Sequence, residues 1–108
     1  MRWIRVNSDL DAAFFFKDQI KDNLTIAANA DDYFTFTDLP LISGYTRIMV
    51  TTDINNATTS GTQSSYVSHY TTTFNDTSTI VNLRNFSTTS AKVKINVRVL
   101  YVKDTYLA

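Results

Sequence analysis

The chain has no cysteine and no glutamate, and only two glycines, one proline, one histidine and one tryptophan in 108 residues. Without cysteine, neither disulfides nor thiolate metal sites are available. Without glutamate, all ten acids are Asp, while seventeen residues are Thr. Glu favours helices, Thr fits strands and Asp fits turns and caps, so this imbalance favours β-structure throughout. Net charge is missing too, ten bases balancing ten acids. Such a chain lacks the electrostatic footprint of a nucleic-acid binder, and a basic-tail or membrane-surface role is equally unsupported. No stretch approaches the ~18 apolar residues of a membrane helix, so no membrane insertion is expected. The opening residues 1–9 hold no apolar run of the signal-peptide kind.

What is present is aromatic and β-branched. Seven Phe, six Tyr and one Trp supply apolar area for the modest core of a single domain, 1–108. The clearest segment is 92–102. Val93, Ile95, Val97, Val99 and Tyr101 fall on one face, and Lys92, Lys94, Asn96 and Arg98 on the other. That is period-two alternation with one buried face. At Leu100 and Val102 the second face turns apolar as well, and an end that is apolar on both sides needs cover on both sides. Leu100 and Val102 are therefore candidate contacts with another subunit.

Further strands are expected at 2–6, 12–17, 24–28, 33–37, 45–52, 66–74 and 79–84. Turn residues separate them at 29–32, at Pro40 with Gly44, at 75–78 and at 85–90. Phe34, Phe36, Ile48 and Val50 are expected in the core. Residues 8–22 admit two readings. Ser8 can cap a helix with Asp9 and Asp11 in its first turn, whereas three consecutive Phe suit a buried strand, the reading we favour. Residues 53–65 form the longest polar stretch and read as an exposed loop. The expected fold is all-β, an antiparallel sandwich or jelly roll of about eight strands.

Signals for chemistry are weak. His69 is the only histidine, no nucleophile-elbow motif occurs, and any Ser-His-Asp set drawn from twenty-six hydroxyl residues would be fortuitous. No catalytic residue is assigned and no enzymatic activity is expected. Asp31 and Asp32 are too few for a calcium site and suit a hairpin turn better, so no metal and no cofactor is expected. Asn-x-Ser/Thr triplets at Asn23, Asn56, Asn75 and Asn85 follow from composition, given nine Asn in a chain one quarter Ser and Thr. Aromatics beside Asp, Asn and Gln are what sugar-binding surfaces use. A ring stacks on a pyranose face while amides and carboxylates bond its hydroxyls. Asp53, Asn55, Asn56 and Gln63, with Tyr66, His69 and Tyr70, are the candidate ligand-binding residues. The alternative is that these rings face the second sheet or a neighbouring subunit.

Five short segments recur together. They are Leu24-Thr-Ile-Ala-Ala-Asn29, Phe34-Thr-Phe36, Ile42-Ser-Gly-Tyr-Thr46, Val81-Asn-Leu-Arg-Asn85 and Val97-Arg-Val-Leu-Tyr-Val-Lys103. Over residues 20–103 this succession resembles the terminal β-domains of bacteriophage and prophage tail-fibre and baseplate proteins. The resemblance implies a trimeric β-sandwich or jelly-roll tip, in the virion, that recognises host-surface glycans. It supplies no fixed binding residues. The expected partners are further copies of the chain, with a trimer favoured, and either host polysaccharide or other virion proteins. The sequence has no coiled-coil heptads and no collagen-like repeat, so it fits either a tip cut from a longer fibre or a small independent virion protein. The second option suits a capsid decoration or head-fibre protein without glycan binding. A cellular carbohydrate-binding module is a further alternative.

Overall fold

The computed structural model describes residues 13–75 and 77–107, with backbone alone at 71–74. The expected strand at 2–6, and residues 8–12 of the helix-or-strand segment, lie outside the described residues.

Six strands form two three-stranded antiparallel sheets. In chain order they are β1 (Phe14–Ile26), β2 (Asp31–Phe36), β3 (Tyr45–Asn56), β4 (Val67–Phe74), β5 (Thr79–Asn85) and β6 (Ala91–Lys103). Sheet A has the order β1-β6-β3 and sheet B the order β2-β5-β4. The chain changes sheet at every connection except β4–β5, so the two sheets share a single core. That core holds Ile26, Ala91, Val93, Ile95, Val97, Val99 and Tyr101 from sheet A, Phe36, Val81 and Leu83 from sheet B, and Leu39 between them. The fold is thus the expected all-β sandwich, with six strands among the described residues instead of about eight.

The two central strands show the alternation most cleanly. In β6 every second residue from Ala91 to Tyr101 is buried, and in β5 Thr79, Val81, Leu83 and Asn85 are. Each fully buried Val or Ile contributes about 1.5–3 kcal/mol relative to exposure. The edge strands carry mixed inner faces. The connection at 37–44 is tied to all three strands of sheet A. Asp38 N donates to Gln19 Oε1 (2.9 Å), Arg47 to Leu39 O (3.0 Å) and Tyr101 Oη to Pro40 O (2.7 Å). Phe15 stacks on Tyr101 at 4.9 Å and meets Tyr45 edge-on at 5.1 Å. Burial raises the Tyr101 phenol, against a smaller opposing effect of Arg47.

Four expectations need correction. The segment from Phe14 onward is strand, the favoured reading, but the two short strands expected at 12–17 and 24–28 are one, β1. A register shift between Lys21 and Leu24 absorbs Asp22 and Asn23, with Asn23 in the left-handed region (φ 56°). Ile48 is not core, being 51% exposed. A second shift between Arg47 and Met49 leaves two residues opposite Leu100 and reverses the alternation. Val50 and Phe34 are accordingly partly buried, while Phe36 and the four core residues of β6 from Val93 to Val99 are fully so. Finally, 53–65 is not one exposed loop. β3 continues to Asn56, Ala57 is buried, and Thr62 bridges to Lys92 of β6. Asp31 and Asp32 do not make a turn either, because they begin β2, where Asp31 pairs with Arg84 at 3.3 Å. The turn before them places Asn29 in the left-handed region.

Candidate functional site

An open groove of about 350 Å³ lies at the end of sheet B. Gln63 and Tyr66 line one wall, and Phe86, Ser87, Thr88 and Thr89 the other. Each wall is built from a tied-down connection.

The first wall follows β3. Ala57 N donates to Lys92 O (3.0 Å), and Thr62 exchanges two backbone bonds with Lys92 (3.1 and 3.2 Å). Asn56 Oδ1 accepts from Ser64 N (3.1 Å), opening the 3-10 turn Ser64–Tyr66. Ser60 and Gln63 both sit in the left-handed region, and a Cβ on Gly61 would run into the backbone of Ala57. At its start the connection is held by Asp22, whose Oδ1 accepts from Thr58 N (3.0 Å) and Asn23 N (2.8 Å). Hydrogen bonds from Thr58 in the first place, with the Asn23 amide and the nearby Lys94 charge behind them, hold the Asp22 carboxyl below its ordinary range against a smaller opposing effect of desolvation.

The second wall hangs on one buried amide. Asn85 Nδ2 donates to Ile26 O (3.2 Å), Ala27 O (3.2 Å) and Thr89 O (3.0 Å), and its Oδ1 accepts from Ser87 N (2.9 Å). A fully buried Asn with these partners is satisfied, and it fixes the 86–89 turn against β1. Its burial also leaves the Asn85 triplet no access for a glycan. The Ser87 and Thr89 hydroxyls meet at 3.0 Å, and Asn29 N donates to Ser87 O (3.0 Å). Phe86 N donates to Tyr66 O (2.9 Å), which makes the two residues backbone partners, and both exposed rings line the groove. The Arg84 guanidinium lies 5.6 Å from the Phe86 ring centre.

Of the seven residues singled out from sequence, the groove brings together Gln63 and Tyr66. Asn56 shapes the turn through its side chain. Asp53 and Asn55 are exposed on the outer face of sheet A, opposite Asn96 and Lys94. His69 pairs with Leu83 on the inward side of the edge strand β4 yet remains exposed. Tyr70 faces the other way, on the outer face of sheet B. Phe86 and the 87–89 hydroxyls were not anticipated. A single Phe inside a Ser/Thr-rich turn was the available signal. Leu100 and Val102 lie half-buried on the outer face of sheet A, where they pair with the exposed Phe16 and Phe14 of β1.

No protein-family model matches the chain, and no curated protein matches it by sequence. Among solved structures it is similar to a P. aeruginosa R1 pyocin fiber comprising C-terminal residues 323-701. The TM-score is 0.68 and the identity 13%, over 85% of this chain. The match spans 24% of that fibre fragment, so the shared part is one domain's worth of a longer protein. The likeness is one of fold: this sandwich is built like a domain of that pyocin fiber.

Proposed function

We propose that this chain is a tail-fibre-like virion domain that assembles with copies of itself, a trimer foremost, and holds host-surface polysaccharide in the groove between Tyr66 and Phe86. It acts by binding and assembly, not by catalysis. The fold likeness to a pyocin fibre supports the structural half of this reading. The observation that carries the ligand half is the groove itself, two exposed rings beside an amide and three hydroxyls, all on connections pinned by backbone bonds. A ring can cover a pyranose face while Gln63 and Thr88 bond its hydroxyls, Ser87 being buried and held by Thr89. So shallow a site buries little area, and a Kd near ~1 mM is about −4 kcal/mol. Several such sites on one particle gain affinity through effective concentration.

The test is binding to an array of purified bacterial surface polysaccharides, followed by adsorption to the cells that carry the best one. Tyr66→Ala and Phe86→Ala are each expected to weaken binding about tenfold or more, which is about 1.4 kcal/mol, without unfolding the protein. If both variants fold and bind like the parent, the groove is not the site. The apolar outer face of sheet A favours a second reading, a structural virion component such as a capsid decoration with no glycan ligand. A parent that binds no polysaccharide and adsorbs to no cells selects it.

A further inference from the structure

We infer that the groove is one end of a longer track across the outer face of sheet B, and that its ligand is an extended oligosaccharide chain, not a single terminal sugar. The inference rests on the glycan reading of the groove. The register of sheet B carries it. Tyr70, Asn82 and Tyr33 are direct partners across all three strands, and Ser68, Arg84 and Asp31 are partners in the row next to them. Alternation puts both rows on the outward side, continuous with Tyr66 and Phe86. Tyr33 is 62% exposed and Tyr70 61%.

Two aromatic rows therefore bracket one polar row. Four residues of strand separate the aromatic rows, about 13–14 Å. Within the far row two interstrand steps place Tyr33 and Tyr70 about 9–10 Å apart, on either side of Asn82. One sugar cannot reach across these distances, whereas a chain can lay successive rings on them. Arg84 sits midway, near the Phe86 ring and 3.3 Å from Asp31, so it can turn donors toward hydroxyls in passing. The face also argues against other ligands. Among the described residues its one cation is paired with Asp31, too little charge for a nucleic-acid backbone. Its rings stand among hydroxyl, amide and ion-pair neighbours, unlike a contiguous apolar patch made for a protein.

The experiment titrates fragments of increasing length, cut from a polysaccharide that the wild-type protein binds on the array, against wild-type, Tyr33→Ala and Tyr33→Phe. Wild-type affinity is expected to rise with length until a fragment spans both aromatic rows, then to level off, as linked contacts do. Tyr33→Ala should weaken the longest fragment about tenfold, leave the shortest unchanged, and be rescued by Tyr33→Phe, which keeps the ring. Tyr33 is on the solvent face, so the variants fold. Affinity independent of length, or a long-fragment affinity that Tyr33→Ala leaves intact, overturns the track while the groove stands. A wild-type protein that binds no polysaccharide overturns the glycan reading and the track together.

Discussion

The two outward faces of this sandwich are built on the same ladder geometry and present opposite chemistry. On sheet A, Phe14 and Phe16 of β1, Leu100 and Val102 of β6, and Ile48 and Met49 of β3 gather at one end. Phe14, Phe16, Ile48 and Met49 each remain about half exposed. Beyond them lies the two-pronged pair in which Arg98 donates to Asp18 at 2.8 and 3.2 Å, with its guanidinium 5.2 Å from the Phe16 ring. On sheet B the exposed outward rings among the described residues are Tyr33, Tyr70, Tyr66 and Phe86, interleaved with Asn82, Ser68, Arg84 and Asp31, with the partly buried Ile80 further along β5. Aliphatic and Phe surface with its polar groups, Arg98, Asp18 and Thr46, at the margins gains most by meeting similar surface, which closed assemblies of identical subunits provide. Rings set among hydrogen-bonding groups suit a ligand that is half apolar and half hydroxyl. In both sheets the inward alternation makes the fold, and the outward residues decide what each sheet meets.

The sharpest way to break this comparison is Leu100→Asp. A carboxylate placed in an apolar subunit contact costs about 3 kcal/mol or more per site. The proposed assembly should dissociate at tens of micromolar, as read by light scattering, while far-UV circular dichroism stays β. An unchanged mass would show that this face is no interface. Asn85→Ala should come next, at about 2–3 kcal/mol in urea unfolding. It strands the carbonyls of Ile26, Ala27 and Thr89 and the amide of Ser87. Saccharide binding should fall with it. Equal stability in Asn85→Ala and wild-type would remove the argument that one amide fixes the groove wall.

The sequence displays these two faces unequally. β6 is legible outright, because an uninterrupted alternation of Val and Ile with Lys, Asn and Arg admits one register. Period two alone sets Tyr66, Ser68 and Tyr70 on one side of the expected strand at 66–74. Ile48 is not legible, since a bulge after Arg47 shifts the phase and nothing in Arg-Ile-Met announces it. β1 reads as two strands, 12–17 and 24–28, because the polar residues between them interrupt the apolar pattern, and Asp22-Asn23 is a bulge within one strand. Asp53 and Asn55 look like loop residues in a polar run, but their pairing with Asn96 and Lys94 keeps them in β3. Tyr33 and Asn82 could not be placed beside Tyr70 at all. That row exists only through the pairing of β2 and β4 with β5, and register between distant segments leaves no local trace.

Two smaller effects sharpen the contrast. Gly61→Ala forces the 57–63 connection off Ala57, with an expected loss of about 1–2 kcal/mol. It should reduce saccharide binding and leave the oligomer mass unchanged. Loss of assembly in this variant would mean that the two ends of the molecule are coupled. The smallest effect is acid sensitivity at Asp22. Its carboxyl is held below the ordinary range in the folded protein, chiefly by Thr58. The stability it supplies is therefore present above the unfolded carboxylate range and lost as pH falls through the lower, folded value. The melting-temperature gap between wild-type and Asp22→Asn should be open at neutral pH and close on acidification. A gap that stays constant with pH would contradict this.

The division of labour between the faces is tested most directly by nuclear magnetic resonance shift mapping of the assembled wild-type protein, titrated with a polysaccharide that it binds on the array. The account predicts perturbations at Tyr33, Tyr66, Tyr70, Asn82 and Phe86, with Phe14, Phe16, Leu100 and Val102 unmoved because a neighbouring subunit covers them. Perturbations centred on Phe14, Phe16, Leu100 and Val102, with the tyrosine rows of sheet B silent, would contradict it.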